Sequence, residues 1–345
     1  MDIRQLLGTD LPVIQAPMAG VQGSALAIAV GQAGGLGSLP CAMLGADALR
    51  AELQALRDSG DRPYNLNFFC HVPPQPDAAR EASWRAALAP YFLEHGIDPD
   101  TIPAGPGRAP FSAGIADLVE PFKPAVVSFH FGLPSAELLA RVKGWGAKVL
   151  SSATTVEEAR WLQAHGADAV IAQGLEAGGH RGHFLSPDLT RQAGTFVLLP
   201  QIIKAVGLPV IAAGGIADAA GVRAAMALGA AGVQVGTAYL LSPQATTSAL
   251  HRLALKSEVA RHTALTNLFT GRPARGIVNR LMAEIGPFNG LAPEFPLATT
   301  AISALRAKAE AAQRVDFSPL WAGQNAYGTR EVDAGELTRE LAAGL

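Results

Sequence analysis

Eight short apolar runs, each followed by a longer stretch with helical spacing, set the strongest constraint on what this chain can fold into. They begin at Pro12 (PVIQAP), Gly35 (GLGSLP), Tyr64 (YNLNFF), Ala125 (AVVSFH), Ala147 (AKVLSS), Ala167 (ADAVIAQ), Pro209 (PVIAAGG) and Ala231 (AGVQVG). The runs are continuous rather than alternating, the pattern of parallel strands covered on both faces. The stretches between them are alanine-rich. TTVEEARWLQAHG and DAAGVRAAMALG open on capping-type residues (Thr154 or Thr155; Asp218) and close at Gly166 and Gly229, as helices do. Eight strand–helix repeats predict an α/β fold, a closed (β/α)8 TIM barrel with its site at the C-terminal ends of the strands.

Residues 1–240 are read as the barrel, and two segments break the repeat. Residues 70–120 form a Pro-rich insertion after the third strand, expected to wrap the barrel or carry an extra helix. Residues 241–318, with SALHRLALKSEVA and TTAISALRAKAEAA, are expected to form a small helical subdomain near the barrel mouth. Residues 319–345 are expected to return to the barrel. The segment GQAGGLG (Gly31 to Gly37) precedes its strand instead of following one, so it reads as a helix end and turn rather than a dinucleotide fingerprint.

Composition narrows the function classes. Of 345 residues, 49% are hydrophobic and 16% charged, which fits a packed globular protein. The formal net charge of −2 and the lack of a Lys/Arg stripe argue against nucleic acid. No apolar run reaches the roughly 20 residues of a membrane helix, and the N-terminus lacks a signal-peptide pattern. A cytoplasmic protein with neither nucleic-acid nor membrane partners is expected; oligomeric state is unreadable. Cys41 and Cys70 make neither a disulfide framework nor a metal set.

The last two runs end in glycines, Gly214 and Gly215 in AAGGIAD, and Gly236 followed by Thr237 in QVGTAYL. Loops at these positions of a barrel often bind phosphate, since glycine lets backbone N–H groups approach its oxygens. The densest chemical signal is IAQGLEAGGHRGHF, from Ile171 to Phe184. Gln173 ends the sixth run, Gly178 and Gly179 are read as bringing backbone close to a ligand, and His180 follows as a proton-transfer candidate. His183 has no further ligands at metal-binding spacing, so no metal is expected. His130 ends the fourth run and is expected to face the same cavity. Pro17, Met18 and Ala19 after the first run suit the face of a planar ring, and Asn67 could hydrogen-bond a ring edge.

These segments resemble the nitronate monooxygenases, formerly 2-nitropropane dioxygenases. QAPMAG, AGGLGSLP, NLNFF, QGLEAGGHRG, AAGGIAD, QVGTAYL, LFTGRPARG (from Leu268) and PLWAGQ (from Pro319) carry the resemblance, which runs nearly the whole chain. It implies one non-covalent FMN, held by Pro17, Met18, Ala19, Asn67, Gln173, Gly178, Gly179, Gly214, Gly215, Gln234, Val235, Gly236 and Thr237, with Gln324 as a further candidate. It implies His180 as the active-site histidine and His130 with His180 as substrate-binding residues. The reaction implied is oxidation of alkyl nitronates by O2 to a carbonyl compound and nitrite, with propionate 3-nitronate as a substrate the family suggests. FMN-dependent enoyl-acyl-carrier-protein reductases share much of the glycine–histidine segment, so an NAD(P)H-dependent reductase, of that or a quinone-reducing type, stays open as the alternative.

Overall fold

All eight runs form strands. The computed structural model describes residues 2–103 and 107–345; part of the expected insertion, residues 104–106, lies outside the described residues. The strands are β1 (Val13–Gln15), β2 (Gly37–Pro40), β3 (Tyr64–Phe69), β4 (Val126–His130), β5 (Lys148–Ala153), β6 (Ala169–Gln173), β7 (Val210–Ala213) and β8 (Gly232–Val235). Each pairs in parallel with its sequence neighbour from β2 to β8. β8 pairs with β1, Ile14 opposite Gln234. The ring closes between β1 and β2 through a bridge at Ile14 and Leu36, with Gln15 N donating to Leu36 O at 2.9 Å.

The period-two pleat sorts the residues of each strand between two environments. Leu66, Phe68, Val127, Phe129 and Val149 point outward and pack under the helices. Val170, Ala172, Val210, Ala212, Val233 and Val235 do the same on the opposite side. The inward set changes character along the barrel axis. Ile14, Leu36, Val126, Leu150, Ala169, Ile171, Ile211 and Ala213 fill the N-terminal half, where the helix Ile3–Leu7 closes the bottom with Ile3 and Leu7. One pleat further along, inward positions are polar: Ser38, Asn67, Ser128, Ser152, Gln173 and Gln234. The barrel is therefore a packed core at one end and a polar cup at the other.

Each strand has its helix. Those after β1 to β7 are Ser24–Gln32, Ala46–Asp58, Ala113–Val119, Ala136–Gly144, Val156–Ala164, Thr195–Ala205 and Ala219–Ala227. The eighth is the C-terminal helix Ala334–Leu341, which packs on Ser24–Gln32 and Ala219–Ala227. The Tyr239 hydroxyl, just past β8, reaches the Thr338 hydroxyl on that helix at 2.9 Å. The chain thus leaves the barrel after β8 and returns for its last helix.

Three connections at the polar end are long. The one after β3 carries the helix Ala78–Glu94, which packs on Thr299–Ala311. Trp84, Leu88, Tyr91 and Phe92 join Leu281, Ile302, Leu305 and Phe317 in one apolar cluster. The excursion after β8 is not purely helical. It contains an antiparallel pair, Thr263–Thr266 with Ala274–Ile277, whose second strand also pairs with the two-residue strand Gly179–His180 in the connection after β6. SALHRLALKSEVA is broken into the helix Ala249–Leu255 and a 3-10 turn at Glu258–Arg261. Among the described residues no helix is long and apolar enough to cross a membrane.

One glycine sets how closely helix and strand approach. A Cβ on Gly37 of β2 would lie 2.0 Å from the Ala27 carbonyl oxygen of the first barrel helix. Rigid backbone on both sides leaves no flexible group to give way. Gly37→Ala should cost about 3 kcal/mol, at the upper end for overpacking a core. Gly45→Ala, where a Cβ meets nothing within 4 Å, should cost no more than about 1 kcal/mol, the loss of a favoured helix N-cap residue. Urea unfolding of both variants checks this, and equal midpoints would contradict the close approach.

Candidate active site

The polar cup opens into a cavity of about 300 Å³ at the C-terminal ends of the strands. Ile171 and Ala213 form its floor, and Asn67, Ser128, Ser152, Gln173 and Gln234 line it above. The Asn67 amide donates to Ser128 Oγ at 2.9 Å, and its Oδ1 has no partner among the described residues. Gln234 Oε1 is buried with no partner among the described residues. Unpartnered buried polar atoms carry a desolvation cost that a ligand would relieve.

One end of the cavity is built from glycines. Gly214 and Gly215 have φ of 111° and 75°, a backbone that only glycine adopts freely. Gly236 leads into the 3-10 turn Thr237–Tyr239, and Thr237 Oγ1 accepts from Gly323 N at 3.0 Å. The loop after β1 comes alongside. Gln22 Oε1 accepts from Met18 N at 3.1 Å and from Gln15 Nε2 at 2.7 Å, and Gln22 Nε2 donates to Ser38 O at 2.5 Å. These bonds hold Pro17, Met18 and Ala19 along the cavity wall.

Two candidates lie outside the lining. Val235 points outward into the helix layer, because it follows the inward Gln234 by one residue. Gln324 is exposed and anchors the loop through its own N–H to Glu176 O at 2.9 Å, while its neighbours Gly323 and Asn325 line the cavity. The two glycines before His180 lie in the cavity lining and also shape the loop. A Cβ on Gly178 would lie 2.6 Å from the Ala322 carbonyl carbon, so this glycine admits the C-terminal segment. Gly179, at φ 70°, faces open space and supplies the turn.

The other end centres on His180. Its short strand pairs with Ala274, and its Nε2 lies 2.9 Å from Thr270 Oγ1. That hydroxyl is also 3.3 Å from Arg272 O. With the hydroxyl proton directed there, Nε2 carries the imidazole hydrogen and Nδ1 keeps its lone pair; no described residue bonds Nδ1. His180 O accepts from Gln173 Nε2 at 2.9 Å and from His130 Nε2 at 3.1 Å. Because a carbonyl only accepts, Nε2 of His130 must carry its hydrogen, and Nδ1 takes one from Ser152 Oγ at 3.0 Å. His130 therefore lines the cavity but has no nitrogen left for a ligand. It positions His180 instead. Gly182 makes this contact feasible, since a Cβ there would lie 2.8 Å from His130 Cε1.

Burial keeps these imidazoles neutral. It pushes His180 well below its usual range, and the Arg108 charge adds to the effect. It lowers His130 and His183 to about 3 each. Phe69, Phe131 and Phe295 surround His180 at ring separations of 5.2–6.3 Å. Phe131 holds φ at 71°, a strained setting for a bulky residue that costs about 1–3 kcal/mol. Its ring carries the Arg272 guanidinium at 4.0 Å. Arg108, from the insertion, lines the cavity beyond Phe295.

Sequence reasoning missed Arg108, Thr270, Ser128, Ser152, Glu176, Gly182 and the aromatic wall. Ser128 and Ser152 were legible, each lying at an inward position of a recognised strand. Thr270 was hidden because the strand pair that carries it was not recognised.

The nitronate monooxygenase family profile matches residues 2–344. A nitronate monooxygenase of Paraburkholderia phytofirmans is 44% identical over 97% of this chain and 92% of its own length. One of Pseudomonas aeruginosa is 43% identical over 99% of this chain and 98% of its own length. The crystal structure of nitroalkane oxidase from Streptomyces ansochromogenes superposes with a TM-score of 0.87 at 39% identity, covering 99% of this chain and 97% of that one.

The buried histidines make stability depend on pH. His183 and His251 sit at about 3 and 4 in the fold, below the ordinary 6.5. Below pH 6.5 the unfolded chain therefore takes up protons that the folded chain refuses. Stability from these groups is intact above that pH and is lost as pH falls from about 6.5 towards 4. Each should cost about 1 kcal/mol at pH 5.5. Thermal unfolding should show Tm falling from pH 7.5 to 5.5, less steeply in His183→Asn and His251→Asn. Unchanged slopes in both variants would mean that these rings are protonated in the fold.

Proposed function

The chain belongs to the nitronate monooxygenase family, and from that premise we propose that it oxidises small alkyl nitronates with O2 to a carbonyl compound and nitrite, using FMN bound in the cavity. The observation that carries this reading is a neutral, half-buried His180 facing a cavity whose far end is a glycine cradle. The cradle fits a phosphate, with backbone N–H groups at Gly215, Gly236 and Thr237 and a hydroxyl at Thr237. Asn67 Oδ1, which has no partner among the described residues, and the buried, unpartnered Oε1 of Gln234 suit the donors of a flavin ring or its ribityl chain. Gln173, Pro17, Met18, Ala19, Gly178, Gly179 and Gly214 complete the wall.

FMN supplies the electron-accepting centre, and the protein supplies orientation and electrostatics. A nitronate spreads its negative charge over carbon and the nitro oxygens. The aromatic wall excludes water from one side, and the nearby Arg108 and Arg272 favour an anion there. If a neutral nitroalkane enters, Nδ1 of His180 takes its α-proton while the Thr270 hydroxyl holds Nε2–H. His130 and Gln173 fix the ring through its backbone carbonyl. Propionate 3-nitronate, which the family resemblance suggests, is the first substrate to try. The expected setting is a cytoplasmic enzyme with small-molecule partners only.

Anaerobic stopped-flow tests the reading. The yellow protein should be reduced by ethyl nitronate and stay oxidised with NADH or NADPH; bleaching by a nicotinamide alone would move the chain to a reductase function. His180→Asn should keep FMN yet turn over nitroethane about 10²–10⁴-fold more slowly, the usual loss for a general base. Near wild-type turnover of nitroethane would remove His180 from the proton transfer.

A further inference from the structure

We propose that Arg108 is a specificity-determining residue that binds a planar two-oxygen anion of the substrate, the nitronate group or a carboxylate. The inference rests on the reading above, that a nitronate occupies this cavity. Arg108 lines the cavity on the side of His180. Its guanidinium lies 5.4 Å from the centre of the Phe295 ring, and the His180 and His71 rings lie 5.2 and 4.9 Å from that same ring. Cation, base and aromatic floor therefore share one wall.

Its lack of partners is what marks it. Among the described residues, the buried Nη1 of Arg108 has no hydrogen-bond partner and no ion pair involves this side chain. The buried Arg181 and Arg275 are satisfied, Arg181 donating to Gln173 O, Gly174 O and Gln192 Oε1 and Arg275 to Leu175 O, whereas Arg272 donates to His183 O and keeps a buried Nε without a partner among the described residues. Two carboxylates line the cavity, and neither serves Arg108. Glu176 accepts from Thr195 N and Oγ1, and Glu310 pairs with Arg306 at 2.7 Å. His71 beside Phe295 is an imidazole that burial holds towards neutrality, so it supplies no negative counter-charge.

A buried guanidinium nitrogen without an acceptor is unfavourable, and a planar anion offers two oxygens at the spacing of the guanidinium fork. Nitronate and carboxylate share that shape, so one residue can recognise either.

The test uses the FMN-loaded full chain, with Arg108→Gln and Arg108→Lys. Propionate is the dead-end probe, its binding read from the flavin absorbance. The Gln variant should keep its FMN and bind propionate roughly 10- to 100-fold more weakly, the loss expected for one charge-assisted contact. The Lys variant, which keeps charge but not the fork, should fall between; it also serves should the Gln variant fail to fold. Ethyl nitronate and the nitronate of 3-nitropropionate then separate the two sources. An equal fall in kcat/KM for both assigns Arg108 to the reacting group, and a fall for the carboxylate-bearing nitronate alone assigns it to a substrate tail. Propionate affinity and both kcat/KM values unchanged in a loaded variant would overturn the proposal. If wild type binds propionate through Arg108 yet oxidises no nitronate, the functional reading fails and the anion site stands.

Discussion

A buried guanidinium holds the site in shape. Arg181 is wholly enclosed, and its three nitrogens reach Gln173 O and Gly174 O at 2.7 Å and Gln192 Oε1 at 2.8 Å. Burial lowers its pKa to about 9, which still leaves it charged at neutral pH. Among the described residues no carboxylate hydrogen-bonds it. Carbonyl and amide dipoles offset the desolvation, and only a forked side chain reaches acceptors on separate segments. The residue before it is His180. Gln173 grips the same stretch from the other side, donating to His180 O and accepting from Gly182 N at 2.7 Å. The catalytic candidate therefore sits on a loop whose backbone is fixed by hydrogen bonds on both flanks. Little is left to determine but the direction of the imidazole, which Thr270 sets.

That loop also explains why the long excursions lie at one end. The connection after β6 cannot satisfy its own backbone, so Gly179–His180 borrows a strand edge from Ala274–Ile277 in the excursion after β8. Arg275 on that strand returns the support by donating to Leu175 O at 2.8 Å. The excursion in turn needs a core, which the helix Ala78–Glu94 from the connection after β3 completes. Three insertions far apart in sequence thus depend on one another, and the barrel below keeps its simple repeat. Glu158 ties the far end of the loop down, accepting from Phe184 N at 2.7 Å.

What was legible in the sequence follows from the same division. The strands were readable because burial on both faces makes each one a continuous apolar run. The glycine cradle and His180 were readable because they lie within a residue or a few of those runs. Val235 shows where reading by segment fails: the pleat turns Gln234 inward and Val235 outward, and a motif treats them alike. His130 was placed correctly on its strand, yet its role depends on a carbonyl fifty residues away. The strand pair Thr263–Thr266 with Ala274–Ile277 was missed because its four-residue runs mix apolar residues with Thr, Arg and Gly, and one of its partners is a strand of two residues. Arg108 was invisible for a different reason. What marks it is the absence of an acceptor, a property of its three-dimensional surroundings.

The electrostatics of the His180 wall give these pieces a common logic. Four imidazoles, His71, His130, His180 and His183, are pushed towards neutrality chiefly by burial, and the arginines nearby push the same way. Acids that might balance those cations are occupied elsewhere, Glu176 by a helix N-terminus and Glu158 by backbone N–H groups. The empty-handed charge at this wall is positive, so the wall selects an anion and penalises a proton. An anion against Arg108 would cancel part of the field that holds His180 neutral. The imidazole would then hold a proton more readily once the site is loaded than before. Selecting the anion and strengthening the base are two consequences of one uncompensated guanidinium.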